Sequence, residues 1–94
     1  MNELPAVELL ESTHCFPGTY MFKAIGRVDD GFAARIVAAV RDELGSDIDP
    51  PYRLQPTPSG RHVSVTLEPE VETGEQVLAI YRRIRGTSGL VMFW

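Results

Sequence analysis

Hydrophobic positions in this chain switch between a period of two and a helical period, and the switches predict the elements. Residues 20–28 are rich in strand formers. Alternation puts Tyr20, Phe22 and Ala24 on one face and Met21, Lys23 and Ile25 on the other. The lysine marks the second face as the solvent side. Asp29-Asp30-Gly31 ends this strand and offers an N-cap acceptor. Phe32, Ala33, Ile36, Val37, Val40 and Leu44 then fall on one stripe at helical spacing, and Gly45 suits the residue just past the helix end.

The second half repeats the cycle. Residues 52–57 read as a strand, but Pro50, Pro51, Pro56 and Pro58 surround or enter it. Proline cannot donate to a ladder, so this strand belongs at a sheet edge. Ser59-Gly60 supplies a hairpin turn. Val63, Val65 and Leu67 alternate with Ser64, Thr66 and Glu68, as in a strand with one buried face. Thr73 and Gln76 fit a capping box ahead of the helical stripe Val77, Ile80, Tyr81 and Ile84. Gly86 stops that helix, and Leu90 to Trp94 form a last strand.

The order βαββαβ predicts a ferredoxin-like α+β sandwich, a four-stranded antiparallel sheet with two helices on one face. Right-handed crossovers set the sheet order as 4-1-3-2, which places the proline-rich second strand at an edge. Parity puts Met21, Lys23, Ile25, Arg53, Gln55, His62, Ser64, Thr66, Val91 and Phe93 on the open face. Residues 1–15 are weakly patterned and are expected to form an arm, flexible or loosely docked, with a short helical turn at Val7, Leu9 and Leu10. Residues 16–94 are expected to form the single domain.

Composition narrows the function. Ninety-four residues make one domain. Nine Lys/Arg against thirteen Asp/Glu leave a net charge of −4, which weighs against unspecific binding to nucleic acid or anionic membrane. A single cysteine, Cys15, allows no internal disulfide and fits a reducing compartment. The first residues lack a basic, then apolar, leader pattern. The longest wholly apolar runs have five residues, far short of the ~20 that span a bilayer. A cytoplasmic location is expected.

Candidate chemistry is sparse. Cys15 has only His14 beside it, too little for a metal site. Asp29 and Asp30 at the first strand–helix junction would repel a phosphate. An RNA-binding sheet needs aromatics on its open face, whereas Tyr20 and Phe22 point inward. Ser64 and His62 share a face but project in parallel, so they do not converge as a nucleophile and base would. Arg82, Arg83 and Arg85 suit the end of a helix dipole, and Glu68, Glu70, Glu72 and Glu75 suit solvation and a helix start. No catalytic, cofactor-binding or metal-ligating residue is assigned, and an enzyme is not expected.

Several blocks resemble the YbeD-like family of small bacterial proteins, a domain of unknown function. They are Leu9-Leu10-Glu11, Phe16-Pro17, the strand from Thr19 to Gly26, Pro58-Ser59-Gly60, Ser64-Val65-Thr66, and Glu75-Gln76-Val77 with Tyr81. The resemblance covers about residues 9–94 and implies a fold similar to ACT-type regulatory domains. It supplies no catalytic residue. By analogy with ACT-type domains, Asp29, Asp30 and Gly31 are the expected ligand-binding residues of a regulatory, metabolite-sensing module that acts as a homodimer. The alternative is an adaptor that presents Met21, Ile25, Val91 and Phe93 to another protein.

Overall fold

The computed structural model describes residues 4–28 and 31–94. Its elements in chain order are α1 (Val7–Thr13), β1 (Gly18–Thr19), β2 (Phe22–Arg27), α2 (Phe32–Leu44), β3 (Tyr52–Pro56), β4 (His62–Leu67), β5 (Glu70–Val71), α3 (Gly74–Arg85) and β6 (Leu90–Phe93). The main sheet is antiparallel with the order β3-β4-β2-β6. This is the ferredoxin-like arrangement predicted from the pattern. Both long helices cover one face. Phe32, Ile36 and Val40 of α2 and Val77, Ile80, Tyr81 and Ile84 of α3 are buried with Phe22, Ala24, Val65 and Leu67 of the sheet.

The helix ends follow their local chemistry. Gly45 adopts a left-handed conformation (φ 67°), and the bonds Gly45 N–H to Asp42 O and Ser46 N–H to Arg41 O close α2. The Thr73 hydroxyl accepts from the Gln76 N–H at 3.1 Å, as a capping residue should. The return bond differs from the expected box: the Gln76 side chain accepts from the Glu72 N–H at 2.7 Å, one residue earlier than Thr73. Arg83 bonds Glu43 and so ties the last turn of α3 to α2.

The proline-rich strand β3 forms one edge of the sheet. Two bonds set the phase of its ladder, Glu68 N–H to Pro51 O and Thr57 N–H to His62 O, both 3.0 Å. Residues 51, 53, 55 and 57 therefore bond toward β4, and residues 52, 54 and 56 turn their backbone groups outward. Pro56 lacks its donor on the side that has no strand to receive it.

Three features are additional to the pattern. Residues 4–15, expected as an arm with a short helical turn at Val7, Leu9 and Leu10, carry the longer helix α1, which packs on α3. Its Leu10 is only 3% exposed, and its Glu11 carboxylate accepts from the Gly74 N–H at 3.3 Å. The Phe16–Pro17 peptide bond is cis and precedes β1. β1 and β5 form a two-stranded ladder pairing Gly18 with Val71 and Thr19 with Glu70. The third is a β-bulge in β6. Ala24 faces Phe93 and Ile25 faces Met92, but Gly26 faces Leu90, so Val91 is an extra residue in the ladder.

Candidate functional site: the open sheet face

The face of the sheet away from α2 and α3 is built in rows by the strand registers. One row holds Lys23, Thr66 and Arg53; the next holds Ile25, Ser64 and Gln55; the last pairs Arg27 with His62. β6 adds Met92 beside Ile25 and Trp94 beside Lys23. Reciprocal backbone bonds of 2.8 Å join Lys23 and Trp94, and the Lys23 ammonium stands 5.5 Å from the center of the indole. Arg53 donates to Glu68 at 2.8 Å. Thr66, flanked by the long side chains of Lys23 and Arg53, is 7% exposed despite lying on this face. The Ser64 hydroxyl is buried and has no hydrogen-bond partner among the described residues.

The expected interface residues fall in different places. Met21 and Val91 are exposed, and Ile25 is half-buried beside Met92. Phe93 does not lie on the open face. It is 3% exposed and packs in the core, its ring 5.7 Å from that of Tyr81. The bulge is the physical reason. With Val91 inserted, Leu90 and Phe93, three residues apart, both reach the core, and Met92 and Trp94 take the open side. Simple alternation assigns the opposite parity, and β6 has apolar residues at every position, so composition offers no correction. Met92 and Trp94 are the members of this face that the pattern misses.

Of the expected ligand-binding residues, Asp29 and Asp30 lie outside the described residues. Gly31 is the N-cap of α2 with φ 71°, and its carbonyl accepts from the Arg35 N–H at 3.0 Å. Cys15 is exposed, and the His14 ring lies 4.9 Å from that of Tyr20. Among the described residues, no three His, Cys, Asp or Glu side chains gather as metal ligands would. No helix of the described residues is long and apolar enough to cross a membrane.

Three hollows among the described residues are open troughs. One of about 390 Å³ runs between α2 and the edge strand, over Ala34, Ala38, Tyr52 and Leu54. One of about 460 Å³ lies among Ile48, Pro50, Pro51 and Pro69. One of about 450 Å³ is bounded by Arg27, Val28, Gly60, Arg61 and His62.

Beneath the sheet, Tyr20, Phe22, Tyr81 and Phe93 form an aromatic cluster with ring separations of 5.0–6.2 Å. Burial, and then the hydrogen bond with the Tyr20 hydroxyl, push the Tyr81 phenol well above its ordinary value of 10.0. The folded state thus holds this proton more tightly than the unfolded chain. The stability it contributes is complete below pH 10.0 and is lost as pH rises beyond that toward the folded-state value. Urea denaturation at several alkaline pH values should show a steeper loss of stability in the natural protein than in Tyr81→Phe. Equal slopes would contradict this assignment.

The family model for "Protein of unknown function (DUF493)" matches residues 11–94. A UPF0250 protein of Ralstonia nicotianae is 27% identical over 88 residues, covering 88% of this chain and 86% of the relative. UPF0250 proteins of Shewanella halifaxensis and Shewanella woodyi are 29% and 28% identical over 83 residues, covering 88% of each chain. With the family model spanning nearly the whole chain, this protein belongs to the DUF493 family, whose function is unknown.

Proposed function

We propose that this protein is a non-enzymatic interaction module that docks another protein on its open sheet face. The observation that carries the proposal is the apolar strip there: Met92 beside Ile25 and the half-exposed Trp94 beside Lys23, with exposed Met21 just before β2. A flat sheet face of mixed apolar and polar residues resembles a protein interface more than a small-molecule site, which needs concavity and converging polar groups. The open troughs fit the same view. Methionine adds an adaptable contact surface. A metabolite-sensing role at the turn before α2 would rest on Asp29 and Asp30 beside Gly31, and those two carboxylates lie outside the described residues.

Native mass spectrometry of the full chain purified gently from its own host tests the proposal. The expected species is a complex with a second protein, retained on purification and lost in Met92→Lys, whose fold should be unaffected because Met92 is already exposed. A homodimer carrying a small-molecule mass, unchanged in Met92→Lys, would overturn the proposal in favor of metabolite sensing.

A further inference from the structure

We infer that the segment docked on the open face is acidic, with carboxylates spaced to meet Lys23 and Arg27 around a central apolar side chain; this rests on the interaction role proposed above. The chain as a whole carries −4, but this face runs the other way. Lys23, Arg27 and Arg53 lie on it by register, and Arg61 borders it in the trough shared with Arg27 and His62. Among the described residues of the face, Glu68 is the carboxylate, and it is already committed to Arg53 at 2.8 Å. Arg27 is exposed, and the half-buried Lys23 stands over the Trp94 ring without a carboxylate partner among the described residues, so both cations are available to an acidic partner. Carboxylates collect elsewhere: Asp42 and Glu43 in the last turn of α2, Asp47 and Asp49 in the connector, Glu72 and Glu75 at the start of α3.

The register gives the occupant a dimension. Lys23 and Arg27 are four residues apart on β2, about 13 Å at strand rise. Ile25 lies between them, with Met92 beside it. An extended segment laid along β2 meets both cations with acidic residues at positions i and i+4 and fills the middle with an apolar residue at i+2. Charge complementarity of this kind selects partners and speeds encounter. Single-stranded nucleic acid also seeks cations, but it binds by stacking successive bases on aromatic rings. This face offers one ring, Trp94, which already carries Lys23 over it, and then methionine and isoleucine. The chemistry favors a protein segment.

Trp94 is the only tryptophan of the chain and half-exposed, so its fluorescence reports directly on the face. The full chain is titrated with the peptide Glu-Ser-Leu-Ser-Glu-Ser-Leu-Ser-Glu, with the same peptide carrying Gln or Lys in place of Glu, and with oligothymidylate of matching length. The acidic peptide should shift Trp94 emission to the blue, and its affinity should fall about tenfold in Lys23→Glu and in Arg27→Glu. Raising salt from about 50 mM to about 500 mM should weaken it as well, since exposed charges are then screened. Arg27 is exposed, so Arg27→Glu carries the test if Lys23→Glu loses its fold. Equal binding of the Gln or Lys peptide overturns the acidic assignment and leaves the interaction role standing. Tighter binding of oligothymidylate overturns both. No response to any probe overturns the acidic assignment, and the native mass measurement then decides the interaction role separately.

Discussion

Phe93→Lys is expected to unfold the protein, whereas Val91→Lys, two positions earlier in the same strand, should leave its melting temperature almost unchanged. Phe93 is 3% exposed, faces Ala24 across the ladder, and packs against Tyr81. Replacing it removes a buried aromatic, worth about 3–5 kcal/mol, and puts an unpaired ammonium into the same apolar site. A small domain holds only about 5–15 kcal/mol of total stability, so the loss takes most of it. Val91 is the bulged residue and is 55% exposed. Substitutions at such sites usually stay within about 0.5 kcal/mol, and lysine is well tolerated on an edge strand. Circular dichroism melts of both variants test the bulge itself. A folded Phe93→Lys with a near-natural midpoint would mean that β6 has the other parity and that the open face has been assembled from the wrong residues.

Gly26→Ala should cost about 2–3 kcal/mol, a fall of roughly 10–20 °C in melting temperature for a domain of this size. A Cβ at position 26 would lie 2.4–2.5 Å from three ring atoms of Phe32, well inside contact distance. The ring cannot move away easily. Phe32 is fully buried, and the base of its ring lies against Gly89, where a Cβ would stand 3.4 Å from Cδ1. Gly89 also has φ 93°, a conformation that disfavors a side chain. The aromatic ring thus fills the space that two missing side chains leave at the start of α2. Trimming the ring should restore room, so Phe32→Leu is expected to hurt Gly26→Ala less than it hurts the natural protein. A double-mutant cycle in urea measures that coupling. A Gly26→Ala loss below about 0.5 kcal/mol would rule out the clash.

The parts of the fold that follow from sequence are those where many residues repeat one signal. The helices α2 and α3 span 13 and 12 residues, enough for a stripe to be unmistakable. The edge position of β3 follows from proline chemistry alone. The elements that escape are short or compensated. α1 has seven residues and buries one of them, Leu10, so the pattern shows only a short turn there and not its docking on α3. β1 and β5 have two residues each, below any period. Position 26 reads as an ordinary strand residue, because the ring that requires glycine there comes from the next element. The open face is legible on β2 and β4, where lysine and serine alternate with core residues, and on β3, where Arg53 and Gln55 alternate with the apolar but exposed Tyr52 and Leu54. It is not legible on β6, where Leu90, Val91, Met92 and Phe93 are all apolar and a single inserted residue reverses which of them meet the core.

The phase of β3 also bears on how concentrated the protein can become. A strand arriving at that edge from another molecule would seek N–H donors at residues 52, 54 and 56, and the last of these is a proline. Only Tyr52 and Leu54 can give. Two donors closed off by a proline are too few to seed a growing stack of strands, so Pro56 acts as a stopper against fibril growth at an edge whose apolar Tyr52 and Leu54 would otherwise invite it.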